Sequence, residues 1–312
     1  MDEIKYLDAM DEYLVHCLAS GYTNKTMKNK RQEYKFLSNF ITKKRGTEDK
    51  LLKDIAVADL KAYFRGKQLR GNKPQTILTT FKAVNAFFNW CVSEDYIEHN
   101  PMDKVERPKQ PKLMLKGFTD DEVKAMIDSF GTRTYLDARN KAIIAMLADT
   151  GLRAIEIRTF KVKTLIDKDN IVVMGKGNKE RNVPITPALK KFLIKFERQT
   201  TKYFKDFAST TDNYFLNYTG GEISHTSLWN IIREAGKRAK VEDARVSPHT
   251  FRHYYAVNAL LNGKDLYTLS RLLGHSCITT TQVYLRGLDD KTLIQRGIDI
   301  SPLMNFGKRL KV

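Results

Sequence analysis

The chain has 312 residues, 42% of them hydrophobic, and its 54 Lys/Arg against 36 Asp/Glu give a formal charge of +18. That length and composition suit two domains with their own apolar interiors and exclude a disordered polypeptide, while the excess of cations points to a polyanionic partner without choosing among DNA, RNA and an anionic membrane surface. Cys17, Cys91 and Cys277 are widely separated with no C-x-x-C pair, which excludes a disulfide framework and a thiolate zinc site.

Residues 1–20 hold five acids and one base, so the opening segment reads as a helix turned away from the polyanion. From Thr23 to just before Gly46, Met27, Tyr34, Leu37, Phe40 and Ile41 recur at helical spacing among Lys25, Lys28, Lys30 and Arg31, predicting an amphipathic helix with a basic face. Further helices are predicted over 57–69 and 75–92, the latter with Ile77, Leu78, Phe81, Val84, Phe87, Phe88 and Cys91 as core. Asn100-Pro101 stops this region, and the proline- and lysine-rich stretch from Glu106 to Lys112 cannot continue a helix. The boundaries expected are a helical domain over 1–106, a linker over 107–115, a second domain over 116–290 and a tail over 291–312. Thr119 with Glu122 forms a capping-box pattern that opens the second domain. Within it, Ile171–Met174 and Arg181–Ile185 flank a glycine-rich turn and predict a β-hairpin, and Tyr214–Asn217 reads either as a third short strand or as a core turn. The fold class is mainly α with a small β-sheet. Acids at the N-terminus and the lack of an apolar run of roughly 18 residues make a cytoplasmic protein the expectation.

Four stations in the second domain carry candidate chemistry. The first is Thr150-Gly-Leu-Arg153-Ala-Ile-Glu156, where a helix ending at glycine hands over to another. Alone, Arg153 and Glu156 read as a surface helix pair contributing about 0.2–0.5 kcal/mol. The second, Gly175-Lys176-Gly-Asn-Lys179-Glu-Arg181, puts lysines on a hairpin turn, where they are either solvated or within reach of a phosphate; its spacing is not that of a P-loop. The third, His249-Thr-Phe-Arg252-His253, places His249 and Arg252 on one helix face and lacks the partners of a zinc site. The fourth runs from Leu272-Leu-Gly-His275 to Tyr284, a tyrosine that alone would pass for a packing residue.

Together the motifs TGLRAIEI at 150–157, GKGNKER at 175–181, HTFRH at 249–253 and LGHSCITTTQVY at 273–284 resemble the tyrosine recombinase (phage integrase) family. The N-terminal half is similar, more weakly, to the family's SAM-like core-binding domain, and the second domain to its mixed α/β catalytic domain. The resemblance implies that Arg153, Lys176, His249, Arg252 and His275 surround one scissile phosphate and that Tyr284 attacks it, with Glu156 supporting the arginine turn. It implies no cofactor and no metal. Cys277 stands where the family often has a small residue such as serine.

That chemistry suits these groups. Attack on a phosphodiester loads charge on the non-bridging oxygens, which permanently protonated guanidinium forks match. A phenol attacks best as its phenoxide, a form that nearby guanidiniums favour. Lys176 is the expected general acid for the leaving 5′-oxygen, with Lys179 its rival on composition. The resulting 3′-phosphotyrosine conserves the energy of the broken bond, so strand exchange through a Holliday junction needs neither ATP nor metal.

The resemblance further implies a clamp of two domains around double-stranded DNA with inverted-repeat core sites, a nucleoid-associated location, and a homotetramer on DNA from a monomer or dimer in solution. Lys25, Lys28, Arg31, Lys82, Lys179 and Arg181 are the expected DNA contacts. The tail from Lys291 to Phe306 carries apolar residues that dock on a neighbouring protomer or on their own domain. The expected outcome is integration or excision of a mobile element. Rival readings are a chromosome or plasmid dimer resolvase, a type IB topoisomerase, and a non-catalytic DNA-binding protein on the same fold.

Overall fold

The computed structural model describes residues 4–46, 50–109, 116–162, 165–166, 170–174, 180–206, 209–287, 294, 297 and 298. The chain divides into two compact units, Met1–Leu113 and Met114–Val312.

The first unit is built on four helices, α1 (Tyr6–Ala19), α2 (Asn24–Arg45), α3 (Val57–Leu69) and α4 (Pro74–Ser93). Local chemistry sets their ends. The Thr23 hydroxyl accepts from Thr26 N at the start of α2, Gly46 closes it at φ 74°, and Pro74 opens α4, where no intrahelical N–H is needed. The core is aromatic: Tyr6, Tyr34, Tyr63, Phe87 and Phe88 are all buried. Their hydroxyls find partners, Tyr34 donating to Ala83 O at 3.1 Å and Tyr63 to Glu33 at 2.6 Å, so the rings also pin one helix to the next.

In the second unit α5 (Asp120–Asp128) starts on the capping box of Thr119 and Glu122. The trio Asp120-Asp121-Glu122 thus lies in a first helical turn, where the macrodipole favours acids. Next, α6 (Tyr135–Thr150) buries every residue from Ala142 to Ala148, as a helix apolar on all sides must, and α8 (Pro187–Tyr203) and α10 (Pro248–Leu261) pack against it. Between them come the short α7 (Ala154–Arg158) and an antiparallel sheet of β1 (Leu165–Ile166), β2 (Asn170–Met174) and β3 (Glu180–Pro184), in that order, with Met174 opposite Glu180. The hairpin expected from sequence is formed by β2 and β3, and β1 adds a strand that was not foreseen. The remaining helices are α9 (His225–Arg238), α11 (Leu266–Leu273) and the single turn α12 (Thr279–Gln282), which runs on as a 3₁₀ turn over Val283–Gly287.

Tyr214–Asn217 forms a buried turn, the second of the two readings. The Leu216 carbonyl accepts from Tyr135 Oη and Arg139 Nη1, both at 2.9 Å, which takes it out of any strand ladder. Among the described residues only isolated bridges, Lys161 to Asn213 and Leu216 to Glu222, remain there. Among the described residues no helix is long and apolar enough to cross a membrane.

Candidate active site

The site is assembled around the carboxyl end of α11. Gly274 ends that helix at φ 67°, in the left-handed region where glycine carries no penalty. The last carbonyls of a helix lack intrahelical donors and sit at the negative end of its dipole. Here three successive ones each receive an arginine: Leu272 O from Arg181 Nε at 2.8 Å, Leu273 O from Arg252 Nη2 at 2.6 Å, and Gly274 O from Arg153 Nη2 at 3.1 Å. Three cations from β3, α10 and the start of α7 are thereby gathered at one helix end.

Arg153 follows the turn at Gly151, which caps α6 at φ 62°. A Cβ on Gly151 would lie 2.5 Å from Tyr255 Cδ1, so close packing as well as conformation requires glycine. Glu156 accepts from Arg153 N at 2.7 Å and Arg153 Nη1 at 3.0 Å. The arginine side chain remains 30% exposed, and with only two of its N–H groups bonded among the described residues it has donors left for an anion.

Arg252 is buried more deeply, at 4% exposure, and donates from Nη1 to Gly151 O at 2.9 Å. Burial and the neighbouring Arg153 draw its pKa down, whereas Tyr284 beside it favours the charged form. His275 Nε2 lies 2.8 Å from Arg252 Nη2, and its Nδ1 2.8 Å from Thr281 Oγ1. Burial first, then the charges of Arg252, Arg153 and Arg181, push the His275 pKa down to about 4. His249 occupies the first turn of α10, three residues before Arg252; burial and the charges of Arg252, Arg245 and Arg153 lower its pKa too.

Tyr284 closes this cluster. Its ring neighbours two imidazoles, 5.5 Å from His253 and 6.2 Å from His275, nearly parallel to the latter at 16°. Five of the six residues assigned to the phosphate therefore meet in one subunit; the sixth, Lys176, lies outside the described residues, as does Lys179.

Arg181 departs from expectation. The resemblance implied that it contacts DNA, but its guanidinium faces inward, donating from Nη1 and Nη2 to the Glu156 carboxylate at 2.8 and 2.7 Å. With Arg181 9% and Glu156 5% exposed, this is a buried strut that joins the sheet to the arginine turn and to α11. Against burial, which raises it, the bonds and charges of Arg181 and Arg153 hold the Glu156 carboxyl below its ordinary value.

Sequence reasoning also passed over His253 and Thr281. His253 had a signal, standing one helical turn after His249; Thr281, fully buried, had only its place in a run of three threonines.

In the first unit Lys25, Lys28 and Arg31 on α2 and Lys82 on α4 are all exposed. Lys30, between them, turns inward to the hydroxyls of Tyr13 at 3.1 Å and Tyr34 at 3.3 Å. A cleft of about 1030 Å³ is lined by Lys61, Arg65, Lys104, Arg107 and Lys109 with Glu106 as its one acid, a basic surface the sequence reading did not single out. The tail over 291–312 lies outside the described residues apart from 294, 297 and 298.

A family model described as the phage integrase family matches residues 116–291, and one described as the phage integrase SAM-like domain matches residues 5–107. The chain belongs to the phage integrase, or tyrosine recombinase, family. A tyrosine recombinase XerD from Listeria innocua serovar 6a is 30% identical over 286 residues, covering 89% of this chain and 93% of the relative. Among solved structures, a lambda integrase tetramer bound to a Holliday junction matches with a TM-score of 0.70 at 16% identity, covering 91% of this chain and 78% of the other. The Tn1549 transposon integrase in complex with a circular intermediate DNA matches with a TM-score of 0.69 at 15% identity, covering 95% of this chain and all of the other. At such identity these two speak for the fold, which is that of a tyrosine recombinase with an N-terminal SAM-like domain and a C-terminal integrase domain.

Proposed function

We propose that this tyrosine recombinase exchanges strands at specific DNA sites, with Tyr284 attacking a backbone phosphate held by Arg153 and Arg252 to form a 3′-phosphotyrosine. The observation that carries the reading is the convergence of Arg153, Arg252, His249, His275 and Tyr284 within one subunit.

Charge that develops on the non-bridging oxygens meets two guanidiniums fixed beforehand, one with free donors towards solvent and one buried against carbonyls, so little reorganisation accompanies the reaction. Glu156 orients Arg153 and takes no proton. His249 and His275 are both kept neutral by burial and by neighbouring cations; His249 can accept or relay a proton, while His275 supports the hydrogen-bond network around Arg252. Lys176 is assigned to protonate the leaving 5′-oxygen, after which a 5′-hydroxyl can reverse the step without ATP or a metal.

DNA is held through Lys25, Lys28, Arg31 and Lys82 together with the basic cleft beside α3, whose phosphate contacts position the duplex without reading its sequence. Four protomers on paired inverted-repeat sites, passing through a Holliday junction, are the assembly we assign, in keeping with the likeness to the lambda integrase tetramer. We assign integration or excision of a mobile element as the outcome, on the likeness to a transposon integrase. Dimer resolution is the second reading, favoured by the similarity to XerD.

The test is incubation with nicked suicide duplexes from the genomic flanks. Wild type is expected to yield a covalent protein–DNA adduct and Tyr284→Phe none, with DNA binding retained; an adduct in the phenylalanine variant refutes the assignment. Sequencing of recombinant junctions then separates mobile-element exchange from dimer resolution.

A further inference from the structure

Thr281 is wholly buried one helical turn before Tyr284, and nothing in the chemistry above uses it. Its hydroxyl oxygen is 2.8 Å from His275 Nδ1, and the opposite nitrogen of that ring, Nε2, is 2.8 Å from Arg252 Nη2. A guanidinium has donors only, so the contact at Nε2 requires a lone pair there. The imidazole is then neutral with its proton on Nδ1, and Thr281 Oγ1 accepts that N–H. Neither an imidazolium nor the Nε2–H tautomer fits, because each would set an N–H against an N–H.

We infer that Thr281 is a positioning residue which fixes the tautomer of His275 and ties it to the seating of the tyrosine-bearing segment. This rests on the reading proposed above. Thr281 and Tyr284 lie three residues apart on one continuous helical stretch formed by α12 and the 3₁₀ turn after it, and hence on one side of it. That stretch therefore touches the same imidazole twice, at its edge through the Thr281 hydroxyl and on its face through the Tyr284 ring. If the stretch shifts, both contacts go together: the proton on Nδ1 loses its acceptor, and nothing then holds the lone pair on Nε2 towards Arg252. A histidine in the Nδ1–H form can accept at Nε2, whereas the other tautomer can only donate there. Seating of the nucleophile and readiness of the histidine are thus one event, linked by a hydroxyl group.

The experiment measures single-turnover cleavage of a nicked suicide duplex by Thr281→Val, which keeps the shape and loses the hydroxyl, and by Thr281→Ser, which keeps the hydroxyl. Each is made in the wild-type chain and with His275→Ala. In the wild-type chain the valine variant is expected to slow cleavage by about tenfold, the effect of one lost hydrogen bond, and the serine variant to stay within about twofold. With His275→Ala present, which is itself slow, Thr281→Val should add nothing. An equal slowing in both backgrounds would mark a packing role and overturn the inference, as would no slowing in the wild-type chain or none from His275→Ala. Should the valine variant fail to fold, long-range ¹⁵N spectra of the wild-type His275 decide: a protonated Nδ1 supports the inference and a protonated Nε2 overturns it. Adduct formation by Tyr284→Phe, run alongside, reports failure of the parent reading separately, since the tautomer is read without any turnover.

Discussion

Replacing Arg181 by methionine removes three hydrogen bonds at once: two to the Glu156 carboxylate, at 2.8 and 2.7 Å, and one to the Leu272 carbonyl at 2.8 Å. Both side chains of the pair are almost closed to solvent, so water does not supply the missing donors. Taking away one partner of a buried ion pair costs about 3–5 kcal/mol. Glu156 keeps the main-chain N–H and Nη1 of Arg153, which places the loss at the lower end, about 3 kcal/mol. In a domain of this size that lowers Tm by about 6–12 °C, to be read by scanning calorimetry of the whole chain. Combining Arg181→Met with Glu156→Gln should cost less than the sum of the two, because the second change removes the stranded charge. A Tm within about 2 °C of wild type, or strict additivity, would refute the strut.

Three further outcomes can be checked. His249, His253 and His275 all have pKa values below the ordinary 6.5, that of His275 at about 4, each depressed first by burial. The unfolded chain therefore binds more protons between about pH 4 and 6.5, and stability rises with pH across that window. Urea midpoints at several pH values should show this slope, and His275→Gln should flatten it; an unchanged slope speaks against the neutral buried ring. Gly151→Ala forces a Cβ into the left-handed region and against Tyr255, which together should cost about 2–5 kcal/mol by urea denaturation. A loss below about 1 kcal/mol would mean that the turn relaxes freely. Lys61→Ala with Arg65→Ala should weaken DNA binding and reduce the salt slope of log K by about 0.9 for each lost phosphate contact, measured by fluorescence anisotropy; an unchanged slope removes the cleft from the DNA surface.

What could be read from the sequence was whatever depends on neighbours along the chain. The Thr119–Glu122 capping box and the glycine ends at Gly46 and Gly151 are local events, decided within a turn or two by hydroxyl caps and left-handed backbone, and the 57–69 helix follows from its own helical spacing, so the residues alone located them. The direction of Arg181 was not legible. Its partners lie 25 and 91 residues away, and on a strand next to a basic turn an inward and an outward side chain look alike. Tyr214–Asn217 stayed ambiguous for the same reason, since the donors that occupy the Leu216 carbonyl belong to a helix some 80 residues earlier in the chain, 81 and 77 positions away. Thr281 was hidden by composition: in a run of three threonines only the fold selects which hydroxyl faces inward. Members of the cluster were recognisable through the family's motifs, whereas the strut and the tautomer that organise them emerge from distances.

The three arginines that share the end of α11 have correlated fates. Because Leu272, Leu273 and Gly274 offer successive main-chain acceptors, a slip or rotation of that one terminus displaces every guanidinium together. Damage there should be abrupt instead of graded. A library of substitutions along Leu266–Leu273 ought to sort into clones that recombine and clones that do not, with few in between, and a designer retargeting the protein to a new DNA site would do well to leave that segment untouched.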